Sequence, residues 1–396
     1  DWRVLVFSLV ISIFTGLVFG LAPALQASKL NLTETLKERS SQKSSYRNYL
    51  SNTLVVVQVA LALVLAIGAG LMLRSFSRLQ DVNPGFNTQG LLTMQIELPQ
   101  AKFPKPQLRA NFFKDVLERI GALPGVVSAA TVSELPLSGQ LNDTYFHIDG
   151  RGSDPNQNKF LANYRSVSSR YFKTMGIPMK GGRDFTDQEV SDAAHVVIVN
   201  EMLANNFFGG QDAIGKRLII DLGEPVTCEI VGIVGNIHHQ ALDRSVTPEM
   251  YIPQLASGST NVVVQTNSDP GSIMGSVRGA VRSVDKDQPI ANMRTMEQLV
   301  NASVAQPRFR TLLLGIFAVL ALILAAVGIY GLISYSVAQR THELGLRMAL
   351  GSQRQGIFKL ILTHALRLVL IGLLIGVGVA DAGHAEAGQQ VADGVA

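Results

Sequence analysis

Three long stretches carry no charged residue at all: Val4–Leu25, Asn52–Leu73 and Thr311–Val337. Wound as helices, each reaches at least about 33 Å, enough to cross a bilayer core of about 30 Å. They are apolar on every face, whereas a buried helix of a soluble protein normally keeps a polar stripe. Membrane spans are therefore expected, and the rest of the chain must be read around them.

Composition agrees. The 396 residues are 47% hydrophobic and 16% charged, against about 25% charged in ordinary soluble proteins. The formal net charge of +4 does not point to nucleic acid, because the basic excess sits in short loops beside the spans, where the positive-inside rule accounts for it. Cys228 is the single cysteine, which excludes an intrachain disulfide and a cysteine-based zinc site. The chain starts at Asp1 and is expected to be a fragment of a longer polypeptide.

The basic loops set a topology. Lys29, Lys37, Arg39, Lys43 and Arg47 lie between the first two spans, and Arg340, Arg347, Arg354, Lys359 and Arg367 follow the third. Both segments are expected in the cytoplasm, which puts Ser75–Arg308 outside. The Ser-rich stretch after Arg39 reads as a flexible linker. In the outer region, strands are expected at Leu91–Leu98, Val126–Leu135, Ala162–Ser168, His195–Val199, Lys216–Asp221, Cys228–Val234 and Asn261–Thr266. Helices are expected at Gln107–Leu123, Asn200–Phe208 and Pro270–Val284. Strands mixed with helices, without a regular βαβ alternation, indicate an α+β domain. A break near Gly150–Asn158 is expected to separate two lobes.

Few motifs carry chemistry. Gly210, Gly215 and Lys216 have the spacing of a phosphate-binding loop, yet Arg217 stands where a hydroxyl must hold magnesium. Gly215 is expected to form a turn before the next strand. His238 and His239 are adjacent, so their side chains should point apart, and a loop after a strand is the default reading rather than a metal site. No G-x-S-x-G elbow supports a hydrolase, and no catalytic, cofactor-binding or metal-binding residue is assigned.

The informative segment is Arg340–Gln355, R-T-H-E-L-G-L-R-M-A-L-G-S-Q-R-Q. As a helix it sets Arg340, Glu343 and Arg347 on one stripe, with Glu343 four residues before Arg347 in the favourable order for an ion pair. Gly351 is a natural helix stop, and Ser352 with Gln355 would cap the next helix. Two readings stay open on these residues alone, a helix wedged between surfaces and a solvated juxtamembrane helix.

That segment resembles the cytoplasmic coupling loop of MacB/FtsX-type ABC-transporter permeases, R-x-x-E-L/I-G-L-R-x-A-L-G. Arg340, Glu343, Leu344, Gly345, Arg347, Ala349, Leu350 and Gly351 occupy the matching places. G-R-D-F at Gly182–Phe185, V-I-V-N-E at Val197–Glu201, the run from Phe207 to Arg217, V-G-I-V-G-N-I-H-H from Val231 and P-E-M-Y-I-P from Pro248 are similar, in order, to the periplasmic core of that family. The start, G-L-A-P-A-L-Q-A-S at Gly20–Ser28, resembles the join between repeats in large duplicated permeases of the acidobacterial type.

The resemblance implies membrane α-helical spans plus an extracytoplasmic α+β domain, a MacB-like periplasmic core with two lobes. Residues 1–28 would end a first repeat as a transmembrane helix, 29–50 form a cytoplasmic basic linker, and 51–74 a second transmembrane helix. Residues 75–308 would be the core domain, 309–338 a transmembrane helix, 339–356 the cytoplasmic coupling helix, 357–380 a partial transmembrane helix and 381–396 an aberrant tail. That tail is expected to come from a shifted reading frame or a damaged gene end, because the apolar pattern stops at Asp381. The implied role is a non-catalytic permease subunit in a bacterial inner membrane, driven by a separate cytoplasmic ABC ATPase. Its other implied partners are the lipid bilayer and a periplasmic adaptor, in a dimer or duplicated pseudo-dimer. A membrane-anchored extracytoplasmic sensor is the alternative, and an anchored enzyme lacks its catalytic constellation.

Overall fold

The computed structural model describes residue 2 and residues 5–13, 41–140, 142–150, 159–209, 213–253, 259–349 and 354–393. After a helical stretch over residues 5–13, the elements run α1 (Ser41–Gln80), β1 (Leu91–Glu97), α2 (Pro106–Gly121), β2 (Val126–Val132), β3 (Asp143–Ile148), β4 (Phe160–Val167) and α3 (Tyr171–Met175). Next come β5 (Met179–Gly182), α4 (Asp187–Ser191), β6 (Val196–Asn200), α5 (Glu201–Phe208), β7 (Arg217–Asp221), β8 (Pro225–Val234) and β9 (Glu249–Pro253). The chain continues with β10 (Ser259–Thr266), α6 (Pro270–Val284), β11 (Ile290–Thr295), α7 (Met296–Ser303), α8 (Ala305–Ala349) and α9 (Arg354–Asp393). Two compact units result, Asp1–Ile67 with Phe317–Ala396, and Gly68–Ile316.

Among the described residues, three helices are long and apolar enough to cross a membrane: Asn52–Gln80, Ala305–Ala338 and Leu362–Ala382. The first two contain the expected second and third spans. Of Val4–Leu25, residues 5–13 are helical and the remainder lies outside the described residues. In the first unit Val55, Val59 and Ala62 of α1, Ala325 and Leu332 of α8 and Leu368 of α9 form one apolar cluster. Gly372 brings α9 close to α1, since a Cβ there would sit 2.9 Å from Val59 Cβ. Small residues of this kind let backbones approach in lipid, where packing replaces the hydrophobic effect. Leu320, Ile323, Leu324 and Val327 of α8 remain largely uncovered, an apolar surface that marks contact with a membrane or a partner rather than with water.

Two expectations are corrected here. The Ser-rich stretch read as a flexible linker is helical from Ser41 onward. The last apolar segment, expected only in part over 357–380, belongs to an unbroken helix to Asp393 whose stretch Leu362–Ala382 has 21 residues. That stretch reaches about 31 Å. Charge at Asp381 ends the apolar pattern, but the alanines that follow are strong helix formers and carry the backbone on.

The second unit has two lobes. The first is an antiparallel sheet in the order β11-β1-β10-β2, with α2 and α6 packed together against it. Phe112, Phe113, Val116 and Ile120 form the buried stripe of α2, the spacing expected of a helix facing a core. Pro106 and Pro270 stand in the first turns of α2 and α6, where a missing N–H costs nothing. Asp269 caps α6 by accepting from the Ser272 N–H.

In the second lobe β4-β3-β7-β8-β6-β9 are neighbours in turn, and β9 returns to β4 in parallel, from Asn163↔Glu249 to Val167↔Pro253. Among the described residues each of the six strands thus has a neighbour on both sides within the ring, the usual way a sheet avoids pairing with other chains, while β4 also meets β2 and β8 also pairs with β5. Phe146, Leu203, Leu218, Ile230 and Met250 fill it. β3 and β4 are both in this ring, so the expected lobe break at Gly150–Asn158 is not there. It lies between β2 and β3 and again between β9 and β10, where the chain passes between the sheet lobe and the ring. A polar Gly/Asn/Pro segment marks a loop but does not say which elements it joins.

The expected helices and strands of this unit all occur, most within two residues of their expected ends. β3, β5, β9, β11, α3, α4 and α7 were not anticipated. α3 is only five residues, held between left-handed Arg170 and Gly176, too short for a periodic signal.

Candidate functional site

The segment singled out by the sequence lies at the end of α8. Arg340, Glu343, Leu344, Gly345, Arg347 and Ala349 are all within that helix, so the helical spacing assumed for them holds in the backbone. Leu350 and Gly351, and with them the proposed stop and the Ser352 cap, fall outside the described residues. α8 runs without interruption from Ala305 to Ala349, 45 residues and therefore about 68 Å.

A second polar site was not anticipated. Arg165 on β4 is completely buried. Its Nε donates to His239 Nε2 at 2.9 Å and its Nη1 to the Tyr164 carbonyl at 2.7 Å. Glu249 Oε1 lies 3.4 Å from the same Nε, and Glu134 Oε2 lies 3.8 Å away. The Glu134 carboxylate also accepts from Asn142 Nδ2 and from Ser133 Oγ. Since His239 Nε2 accepts, the imidazole proton sits on Nδ1, which faces Glu249 Oε1 at 3.5 Å. Tyr171 and Tyr251 close the cluster, their rings 6.4 Å apart.

The site joins the lobes. Glu134 follows β2 of the sheet lobe, Arg165, Glu249 and Tyr251 are on β4 and β9 of the ring, and His239 is on the loop after β8. Burial, opposed by Arg165, raises the Glu249 carboxyl above its ordinary value. Burial, reinforced by Arg165, holds His239 well below its ordinary value near 6.5. Burial raises both tyrosines, Tyr251 strongly. The cluster is thus built around one permanent cation, a neutral histidine and two carboxyl groups, a network that specifies geometry more than it adds stability. His239, Glu249 and Tyr251 lie in the V-G-I-V-G-N-I-H-H and P-E-M-Y-I-P runs, but nothing local joined those runs to each other or to Glu134 and Arg165, because the members are spread from Glu134 to Tyr251.

The phosphate-loop spacing has another explanation. Gly215 is a left-handed turn, φ +79°, whose N–H donates to the Ile230 carbonyl at 2.8 Å. Strand β7 starts at Arg217, where a phosphate-binding loop requires a helix N-terminus. His238 and His239 do part: His238 Nδ1 lies 3.0 Å from the Arg244 carbonyl, while His239 turns inward to Arg165.

The sequence model of the MacB-like periplasmic core domain matches residues 53–284, more than half of the chain, and that of the FtsX-like permease C-terminal region matches residues 315–381. The chain belongs to the MacB/FtsX permease family. Members are membrane permeases with a periplasmic domain, here the unit that carries the Arg165 cluster, while Arg340–Ala349 falls in the FtsX-like match.

Among curated relatives, the "Probable syringafactin export ATP-binding/permease protein SyfD" of Pseudomonas syringae pv. tomato is 27% identical over 234 residues, covering 56% of this chain and 34% of SyfD. The "Macrolide export ATP-binding/permease protein MacB" of Mannheimia succiniciproducens is 26% identical over 232 residues, covering 56% of this chain and 35% of that protein. The chain spans about a third of the length of the curated relatives it matches. Among solved structures, the periplasmic region of MacB from Actinobacillus actinomycetemcomitans is similar with 14% identity and a TM-score of 0.38, over 55% of this chain and 94% of that one.

Proposed function

We propose that the chain is the permease subunit of an ABC transporter, coupling a cytoplasmic ATPase on a separate chain to the outer domain by mechanical transmission. The observation that carries this is the order of parts along one polypeptide: a periplasmic core match, then an FtsX-like match holding R-x-x-E-L-G-L-R, with α8 continuous from Ala305 to Ala349. A helix about 68 Å long exceeds a bilayer core of about 30 Å and can act as a rod between the two sides. Arg340, Glu343, Leu344, Gly345, Arg347, Ala349, Leu350 and Gly351 would meet the ATPase on the cytoplasmic face of a bacterial inner membrane. Residues 75–308 would lie outside, there engaging a periplasmic adaptor, and the working unit would be a dimer or a duplicated pseudo-dimer. Two relatives named for export favour efflux as the direction, with envelope mechanotransmission the related form.

The test is copurification of an ABC ATPase with the membrane-inserted chain. Glu343→Lys is expected to abolish it while insertion stays normal, and Glu34→Lys in the other basic segment is expected to leave it intact. Retention by Glu343→Lys would remove the site assignment, and no ATPase with the unaltered chain would remove the permease reading.

A further inference from the structure

Within Gly68–Ile316, the segment after α1 does not pass directly into β1. It first packs against the loop that follows β8. Gly85 has φ +87°, and a Cβ there would collide with the Asn236 carbonyl and come within 2.9 Å of Ile237 Cα. The His238 N–H donates to the Pro84 carbonyl at 2.9 Å, and the Asn87 N–H to the Met175 carbonyl at 2.8 Å. The loop so gripped is itself rigid: Asn236 Oδ1 accepts from the Met202 N–H at 2.9 Å and Ile237 is buried. Two residues on, the His239 carbonyl accepts from the Leu137 N–H at 2.7 Å, and its ring accepts from Arg165. Consecutive short contacts therefore lead from the end of α1 to the junction cluster.

α8 is attached differently. It follows β11 and α7, whose Met296 and Leu299 are buried in the sheet-lobe core, while β11 pairs with β1. The backbone join between the lobes is thin. β2 and β4 share the single register pair Val132↔Val167, flanked by Ser168 N–H to the Thr131 carbonyl and Ser133 N–H to the Ser166 carbonyl. Leu79, Val82 and Phe86, at and just after the end of α1, pack into that same apolar core, so what distinguishes α1 is the hold on residues 236–238, and a shift of α1 along α8 would load the ring at that loop.

We infer that residues 83–87 and 235–239 form the joint through which movement of α1 relative to α8 reaches the Arg165 cluster, with Gly85, Asn236 and His239 as its positioning residues. The inference rests on the permease reading and adds where its motion enters the outer domain. Coupling of this kind needs a demonstrated response of one place to a restraint at the other, not mere adjacency.

The restraint is available. A Cβ at Gly68 would lie 3.6 Å from Leu314 Cδ2, so Gly68→Cys with Leu314→Cys puts two thiols in one contact between α1 and α8; disulfide formation is established first by thiol counting after oxidation, and Cys228 is buried. The full chain in lipid discs, oxidised and reduced, is compared by amide exchange of Leu137 and His238. Oxidation is expected to slow both by about fivefold or more, the lower range of coupling between sites. Gly85→Ala is expected to remove that redox response while the β1 and β10 amides stay protected. If Gly85→Ala exposes those amides, Asn236→Ala, which loses only the Met202 acceptor, decides the matter and should diminish the response. Exchange indifferent to the disulfide in the parent pair overturns the joint, as does a full response in a folded Gly85→Ala or, failing that, in Asn236→Ala. Copurification of an ATPase with an indifferent junction removes the joint alone; a responsive junction without an ATPase removes the permease reading and leaves the joint.

Discussion

The sheet lobe and the ring lobe are neighbours in one unit but are stabilised by different means. The sheet lobe is an open antiparallel sheet over an apolar core of residues such as Phe113, Val116 and Val277, and nothing in that core needs a partner of a particular charge. The ring is closed on itself, and where it meets the sheet lobe it buries Arg165, Glu249 and His239. An apolar core tolerates exchange of shape for shape, whereas a buried charge tolerates only its partners. The same apolar cluster continues into the ring at Val167, Ile198, Val234 and Tyr251, so the comparison teaches that apolar packing holds the lobes together while the polar set around Arg165 specifies how they meet.

The sharpest way to break this comparison is to remove one member from each side. Arg165→Met strands Glu249 and Glu134 in the interior and is expected to destabilise the ring junction by about 3–5 kcal/mol. Adding Glu249→Gln and Glu134→Gln should recover a large part, because the stranded charge is gone. Phe113→Ala is expected to cost about 3–5 kcal/mol, seen in exchange of the sheet lobe, with no polar substitution able to rescue it. Amide exchange on the full chain, read separately over β10 and β8, distinguishes the two. Equal losses in both lobes from either variant would mean that they unfold as one.

Glycines give a smaller contrast. A Cβ at Gly215 meets nothing within 4 Å, whereas at Gly182 it would run into the Val231 carbonyl. Gly215→Ala is therefore expected to cost only the about 1–2 kcal/mol of a left-handed L residue. Gly182→Ala should cost more and release β5 from β8, measured as exchange of the Arg183 N–H, which donates to Val231.

Acid should act on the junction through His239. Its folded value is depressed from 6.5, so its contribution is present above about pH 6.5 and is lost as pH falls toward the folded value. Glu249 acts in the opposite sense: its folded value is raised from 4.5, so its contribution is full below that and is lost as pH rises through the folded value. His239→Gln keeps an acceptor for Arg165 and removes only the first effect. Relative to the parent chain, it is expected to gain up to about 1.4 kcal/mol per pH unit below pH 6.5, read as junction amide exchange. A difference that does not vary with pH would show that His239 is not sealed from protons.

The smallest expected change in stability is at the far end of α8. Glu343→Lys, which should abolish ATPase binding, should alter unfolding by no more than about 1 kcal/mol, the lost helix ion pair plus the like-charge repulsion that replaces it. A large loss there would make the segment structural and not a docking site.

Much of this was legible in one dimension. Uncharged windows located the second and third spans, apolar periodicity located α2, α5 and α6, and Gly215 turned the chain before β7. Each depends on residues within a few positions of one another, and local periodicity, capping and left-handed turns are properties of such short windows. The R-x-x-E-L-G-L-R segment was legible for the same reason, as spacing on a single helix. What only the tertiary structure decided was which strands meet. β9 lies beside β4 across some eighty residues of chain, and that pairing closes the ring, moves the lobe boundary away from Gly150–Asn158, and brings Glu249 to Arg165. Arg165 in F-L-A-N-Y-R-S-V carries no local mark of burial; a charge becomes tolerable inside a protein only when distant residues surround it, and their arrival is a matter of topology.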